Sequence, residues 1–121
     1  MTVKSKGYLR HVALSVTDPW ETAEFYKQSV GLEEVAELDG PLAEGVFLTD
    51  GVVNLAILHF KSDEAAQGTG ADFVGLHHIG FWVDDVIVSG QQARAAGGTW
   101  IRDGVAVRAR DGGRRCRHRA R

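Results

Sequence analysis

Two histidines pose the chemical question in this sequence. His11 lies in "LRHVALSVTD", residues 9–18, and His78 in "GLHHIGFWVDD", residues 75–85. Each is followed by apolar residues and then by an acid at an expected helix start. Neutral imidazole is a good ligand for divalent first-row metals, so two imidazoles converging on one point would make a pair of ligands. A histidine in an apolar strand is otherwise a core residue satisfied by hydrogen bonds. The residues alone leave both readings open: two satisfied core histidines, or a shared metal site.

The surrounding elements must bring the rings together. Leu9 to Val16 is rich in β-branched and apolar residues and predicts a buried strand. Asp18 then suits an N-cap, Pro19 the first helical position and Glu21 the third. Trp20, Ala23, Tyr26 and Val30 recur at helical spacing, and Gly31 is a natural stop. Residues 32–38 read as a strand with Leu32, Val35 and Leu38 as apolar members. "VFLTDGVVNLAIL" reads as a hairpin turning on Asp50-Gly51. Residues 61–70 are polar, without apolar period, and read as a connector. "VGLHHIGFWV" is a further strand, Asp84 or Asp85 caps a helix to about Ala96, Gly97-Gly98 stops it, and "TWI" opens another strand.

Shifting the chain by 67 residues aligns the halves without a gap: Leu9 with Leu76, His11 with His78, Val16 with Val83, Asp18 with Asp85, Gly31 with Gly98. This pattern is that of a duplicated strand-helix-strand-strand-strand module. Strand alternation places His11, Ala13 and Ser15 on one face, and His78, Gly80 and Trp82 on the matching face, with His77 pointing the other way. The small residues beside each histidine are expected to leave open space there.

These stretches, with the "FY…GL" ending of the first helix, resemble the vicinal oxygen chelate superfamily, which includes glyoxalase I, methylmalonyl-CoA epimerase, extradiol dioxygenases and bleomycin-resistance proteins. The resemblance covers residues 7–103. It implies an α+β fold of paired βαβββ modules, here with module one at 7–60, a connector at 61–73 and a partial module two at 74–103. It also implies a divalent ion (Ni, Zn, Mn or Fe) held by one histidine from the first strand of each module, the positions of His11 and His78. The first module's last strand usually adds Glu or Gln; here Asn54, a poor amide ligand, or Ala56 stands nearest, while His59 has the opposite parity. A fourth ligand, usually a late Glu, has no counterpart, and no catalytic base can be nominated.

Composition bounds the rest. The 121 residues suffice for one domain, no apolar run approaches the roughly 20 residues of a membrane span, and the N-terminus lacks a signal-peptide core. A cytoplasmic setting is expected, and the single Cys116 agrees with it. Residues 1–101 hold 6 basic and 14 acidic side chains, whereas 102–121 hold 8 arginines and 2 aspartates. Apolar pattern and family resemblance both stop near residue 103, so the tail at 104–121 reads as frameshifted or truncated. Nucleic-acid binding by this arm is the lesser expectation. A second half-sheet without its last strands would leave an exposed edge, and a homodimer is expected.

The resemblance, taken with these residues, implies three alternative functions. One is metal-assisted lyase, isomerase or dioxygenase chemistry on a small vicinal-oxygen substrate. The second is metal-free sequestering of a flat ligand in the bleomycin-resistance manner, with Trp82 and Trp100 as stacking surfaces unless both merely fill the core. The third is an inactive remnant.

Overall fold

The computed structural model describes residues 3–99, 107–108 and 114–116. The expectations for Trp100, for the strand opened by "TWI" and for most of the arginine-rich tail lie outside those residues. In chain order the elements are β1 (Gly7–Ser15), α1 (Pro19–Val30), β2 (Glu33–Asp39), β3 (Ala43–Thr49), β4 (Asn54–Phe60), α2 (Asp63–Ala66), β5 (Gly75–Val83), α3 (Val86–Ala95), β6 (Val107–Arg108) and β7 (Arg114–Cys116). The fold is α+β. Its first βαβββ module, β1-α1-β2-β3-β4, is complete; the second opens with β5 and α3 and, among the described residues, continues only in two short strands. The chain divides into two compact units, His11–His78, and Met1–Arg10 with Ile79–Arg121.

In the His11–His78 unit the strand order is β2-β3-β4-β1. β1 runs parallel to β4 and β3 antiparallel to both β2 and β4. The parallel pair needs a crossover, which α1 begins. Asp18 starts α1 by accepting from the Trp20 and Glu21 amides at 3.1 Å each. Gly31 ends it in the left-handed region, φ 71°, returning its N–H to the Lys27 and Tyr26 carbonyls. Strand alternation then separates two cores. Val16, Val46, Leu48 and Ile57 pack with Ala23 and Tyr26 of α1 on one face. Ala13, Ala43, Ala56, Leu58 and Phe60 pack with Ala65 and Ala66 of α2 on the other. Gly45 sits where β3 meets β4 so closely that a Cβ would collide with the Ile57 carbonyl oxygen.

Three local expectations are corrected. The turn at Asp50-Gly51 is a four-residue loop, because Thr49 and Asn54 are the last paired residues. Side chains hold that loop: Asp50 accepts from the Val52 and Val53 amides at 2.8 and 2.7 Å, and Thr49 Oγ1 accepts from Gly51 N and donates to Val53 O. β2 is not a regular apolar strand; its register shifts between Glu34 and Ala36, and Val35 is 56% exposed. The connector contains the single turn α2, started by Ser62 Oγ accepting from Ala65 N at 3.0 Å.

In the second unit the order is β1-β5-β7-β6, with β7 antiparallel to β5 and to β6. Asp85 caps α3 as Asp18 caps α1, accepting from the amides two and three residues on, Ile87 and Val88. The left-handed glycine after α3 is Gly97, φ 99°, one residue earlier than the repeat alignment of Gly31 with Gly98 implies. Ser5 ties the N-terminal segment to α3: its Oγ donates to the Asp85 carbonyl, accepts from Asp85 N and lies 2.7 Å from Ser89 Oγ.

Candidate functional site

The site is built on adjacent strand positions of the His11–His78 unit. β1 and β4 are in register with His11 opposite Asn54, Ala13 opposite Ala56, and Ser15 opposite Leu58. Alternation therefore puts His11, Ala13, Ser15, Asn54 and Ala56 on the face that carries α2. β3 extends the same rows, with Thr49 opposite Asn54 and Phe47 opposite Ala56.

His11 and His78 meet there. Their Nε2 atoms are 3.2 Å apart, a hydrogen bond with one ring donating and the other accepting, and the rings stack at 5.1 Å between centroids and 24° between planes. His77 joins them: its Nδ1 is 2.8 Å from His78 Nδ1, its Nε2 is 2.6 Å from the Ala66 carbonyl oxygen, and its ring packs 4.4 Å from that of Phe60. All three rings are half-buried.

The expectation that His77 points away from His78 fails for a physical reason. The Ala66 carbonyl at the end of α2 and the neighbouring imidazole offer one hydrogen bond to each His77 nitrogen, and Phe60 supplies a ring to pack on. The expected open space beside Ala13 is also filled. Ala13 and Ser15 are both 0% exposed, and Ala13 packs in a cluster with Ala56, Phe60, Ala65 and Ala66. Within this buried face Ser15 Oγ has no hydrogen-bond partner among the described residues.

The other sequence candidates lie elsewhere. His59, of opposite parity, stands across from Glu44, with Nδ1 3.6 Å from its carboxylate. Trp82 belongs to the second unit, in register with Arg115 of β7, and is 38% exposed. Trp100 is outside the described residues. His77 and Ser15 are additions; the doubled "HH" was the only sequence signal for the first.

The His11 and His78 nitrogens fit a divalent ion. Two nitrogens each about 2.0–2.1 Å from one ion stand about 3.3 Å apart at the tetrahedral angle. Asn54, opposite His11, could add an amide oxygen. Among the described residues no group of three or more His, Cys, Asp or Glu side chains forms a metal cluster, so the donors there are two imidazoles and a weak amide.

A duplicated strand-helix start, a complete βαβββ module and a histidine pair shared by the two first strands define a class. Residues 8–104 match the Glyoxalase/Bleomycin resistance protein/Dioxygenase superfamily, and the chain belongs to it. Members bind small molecules, commonly use divalent metals and often form dimers. Among solved structures the chain is similar to a Streptomyces coelicolor methylmalonyl-CoA epimerase in complex with 2-nitronate-propionyl-CoA, at 22% identity and TM-score 0.64, over 88% of this chain and 82% of that one. It is also similar to a hypothetical protein from Bacillus halodurans, at 24% identity and TM-score 0.66, over 86% and 78%. A methylmalonyl-CoA epimerase in complex with methylmalonyl-CoA and NH4+ gives 22% and 0.65, over 89% and 81%. No curated protein matches significantly. No helix among the described residues is long and apolar enough to cross a membrane.

Proposed function

We propose that this protein binds a small substrate with vicinal oxygens through a divalent ion held by His11 and His78, with Asn54 as a third donor, and carries out lyase, isomerase or dioxygenase chemistry. The observation that supports this reading is the 3.2 Å approach of the two Nε2 atoms, contributed by strands far apart in the chain. A bound ion would supply Lewis-acid polarisation of a substrate carbonyl. The chain's own part is to orient the two rings and to back them with the apolar floor of Ala13, Ala56 and Phe60, which limits water. Methylmalonyl-CoA is a natural first probe, because a similar epimerase was solved with it. Calorimetric titration with Ni²⁺, Zn²⁺, Mn²⁺ and Fe²⁺ tests the reading. It expects binding by the intact protein and loss of that binding in His11→Ala.

A second reading draws on β4. That strand sets Ala56 beside Ala13 and carries no carboxylate, which suits metal-free sequestering of an apolar or aromatic ligand. Quenching of tryptophan fluorescence by such a ligand in the presence of a chelator would favour this alternative; quenching that requires added metal would favour the first.

A further inference from the structure

Among the described residues His77 contacts Ala66, His78 and Phe60. The Ala66 carbonyl 2.6 Å from His77 Nε2 can only accept, so that nitrogen carries a proton. In a neutral imidazole the second nitrogen is then an acceptor. His77 Nδ1 therefore accepts from His78 Nδ1 at 2.8 Å, and the donor must be a protonated His78 Nδ1. This leaves His78 Nε2 as the nitrogen 3.2 Å from His11 Nε2.

We infer that His77 is a positioning residue, which fixes His78 in its Nδ1–H tautomer and holds Nε2 toward His11. Which imidazole nitrogen is protonated is set by the hydrogen bond the other one makes. Metal-binding histidines generally donate their outer N–H to a carboxylate, carbonyl or water; here an imidazole accepts it and passes the constraint to the backbone of α2. The anchor is itself held. Ala66 is 0% exposed, its carbonyl also accepts from Thr69 Oγ1 at 3.1 Å, and the chain leaves α2 through Gln67 in the left-handed region, φ 56°. Phe60 holds the ring from the side. The tautomer assignment stands on these contacts alone; its consequence for metal affinity rests on the function proposed above.

Two readouts test this, using the full chain. Nitrogen-15 spectra of the imidazoles should show His78 protonated at Nδ1 in the intact protein. His77→Phe keeps a ring against Phe60 but accepts no hydrogen bond, and should release His78 into mixed tautomers. His77→Gln offers an acceptor and a donor at similar spacing, and should restore the Nδ1–H form. With Zn²⁺ as the probe, His77→Phe should bind about 10–100-fold more weakly, and His77→Gln should recover most of the loss. Backbone amide spectra establish that each variant is folded, and if His77→Phe is not, the intact protein and His77→Gln still decide. A proton on Nε2 of His78 in the intact protein would overturn the inference, as would an unchanged His78 tautomer in His77→Phe. A correct tautomer with no Zn²⁺ binding by the intact protein would sustain the His77 assignment and remove the metal reading instead.

Discussion

Ser15 and His11 share a face, yet their polar atoms are treated oppositely. The imidazole nitrogen of His11 finds His78, whereas the Ser15 hydroxyl is buried without a partner among the described residues. An unsatisfied buried hydroxyl costs about 1–3 kcal/mol. Ser15→Ala is therefore expected to raise stability by about 1 kcal/mol, read as a higher denaturant midpoint at unchanged slope; a lower midpoint would mean that the hydroxyl is satisfied in solution. The meeting of His11 and His78 was legible in the sequence because both stand at the same place in a repeat. His77 was not, because strand alternation assigns neighbours to opposite faces and gives no hint that a carbonyl from α2 will turn one ring back. Ser15 was legible as a neighbour of His11 on one strand face, but its complete burial was not, because small residues there pointed to open space and burial is set by tertiary packing.

Elements whose ends are written in single residues were read directly. Asp18, Pro19 and Gly31 bound α1, and Asp85 begins α3, because capping is a local matter of one side chain and the next few amides. The four-residue α2 escaped, since one turn cannot show a period, and so did the loop at 50–53, where side-chain hydrogen bonds and not the Asp-Gly pair set its length. That loop carries a pH signature. The Val53 and Val52 amides hold the Asp50 carboxyl below the usual carboxylate range. The sign follows from linkage: a lowered folded-state pKa contributes stability above the unfolded value of about 3.9, and the contribution fades as pH falls through the folded value. The stability difference between the intact protein and Asp50→Asn is thus expected to be positive at neutral pH and to shrink on the acid side of that window. Denaturant unfolding at a series of pH values measures it, and a difference constant with pH would refute this origin.

Across the whole molecule, the 67-residue echo makes the architecture readable: two modules, each opening with a strand and a capped helix. The second was harder to read because its apolar pattern stops near residue 103, and the repeat has nothing there to align. Large apolar side chains remain exposed, among them Val74 at 64% and Leu76 at 58%. With dimers common in the superfamily, sedimentation velocity is expected to give twice the monomer mass, falling toward the monomer in Leu76→Asp; a monomer at all concentrations would rule that out. The central claim concerns the histidine pair itself, and titration calorimetry with Zn²⁺ against the intact protein, His11→Ala and His78→Ala tests it most directly. Binding at one site per chain that vanishes in both variants is the expected result. Binding that survives both, or none by the intact protein, would contradict the account.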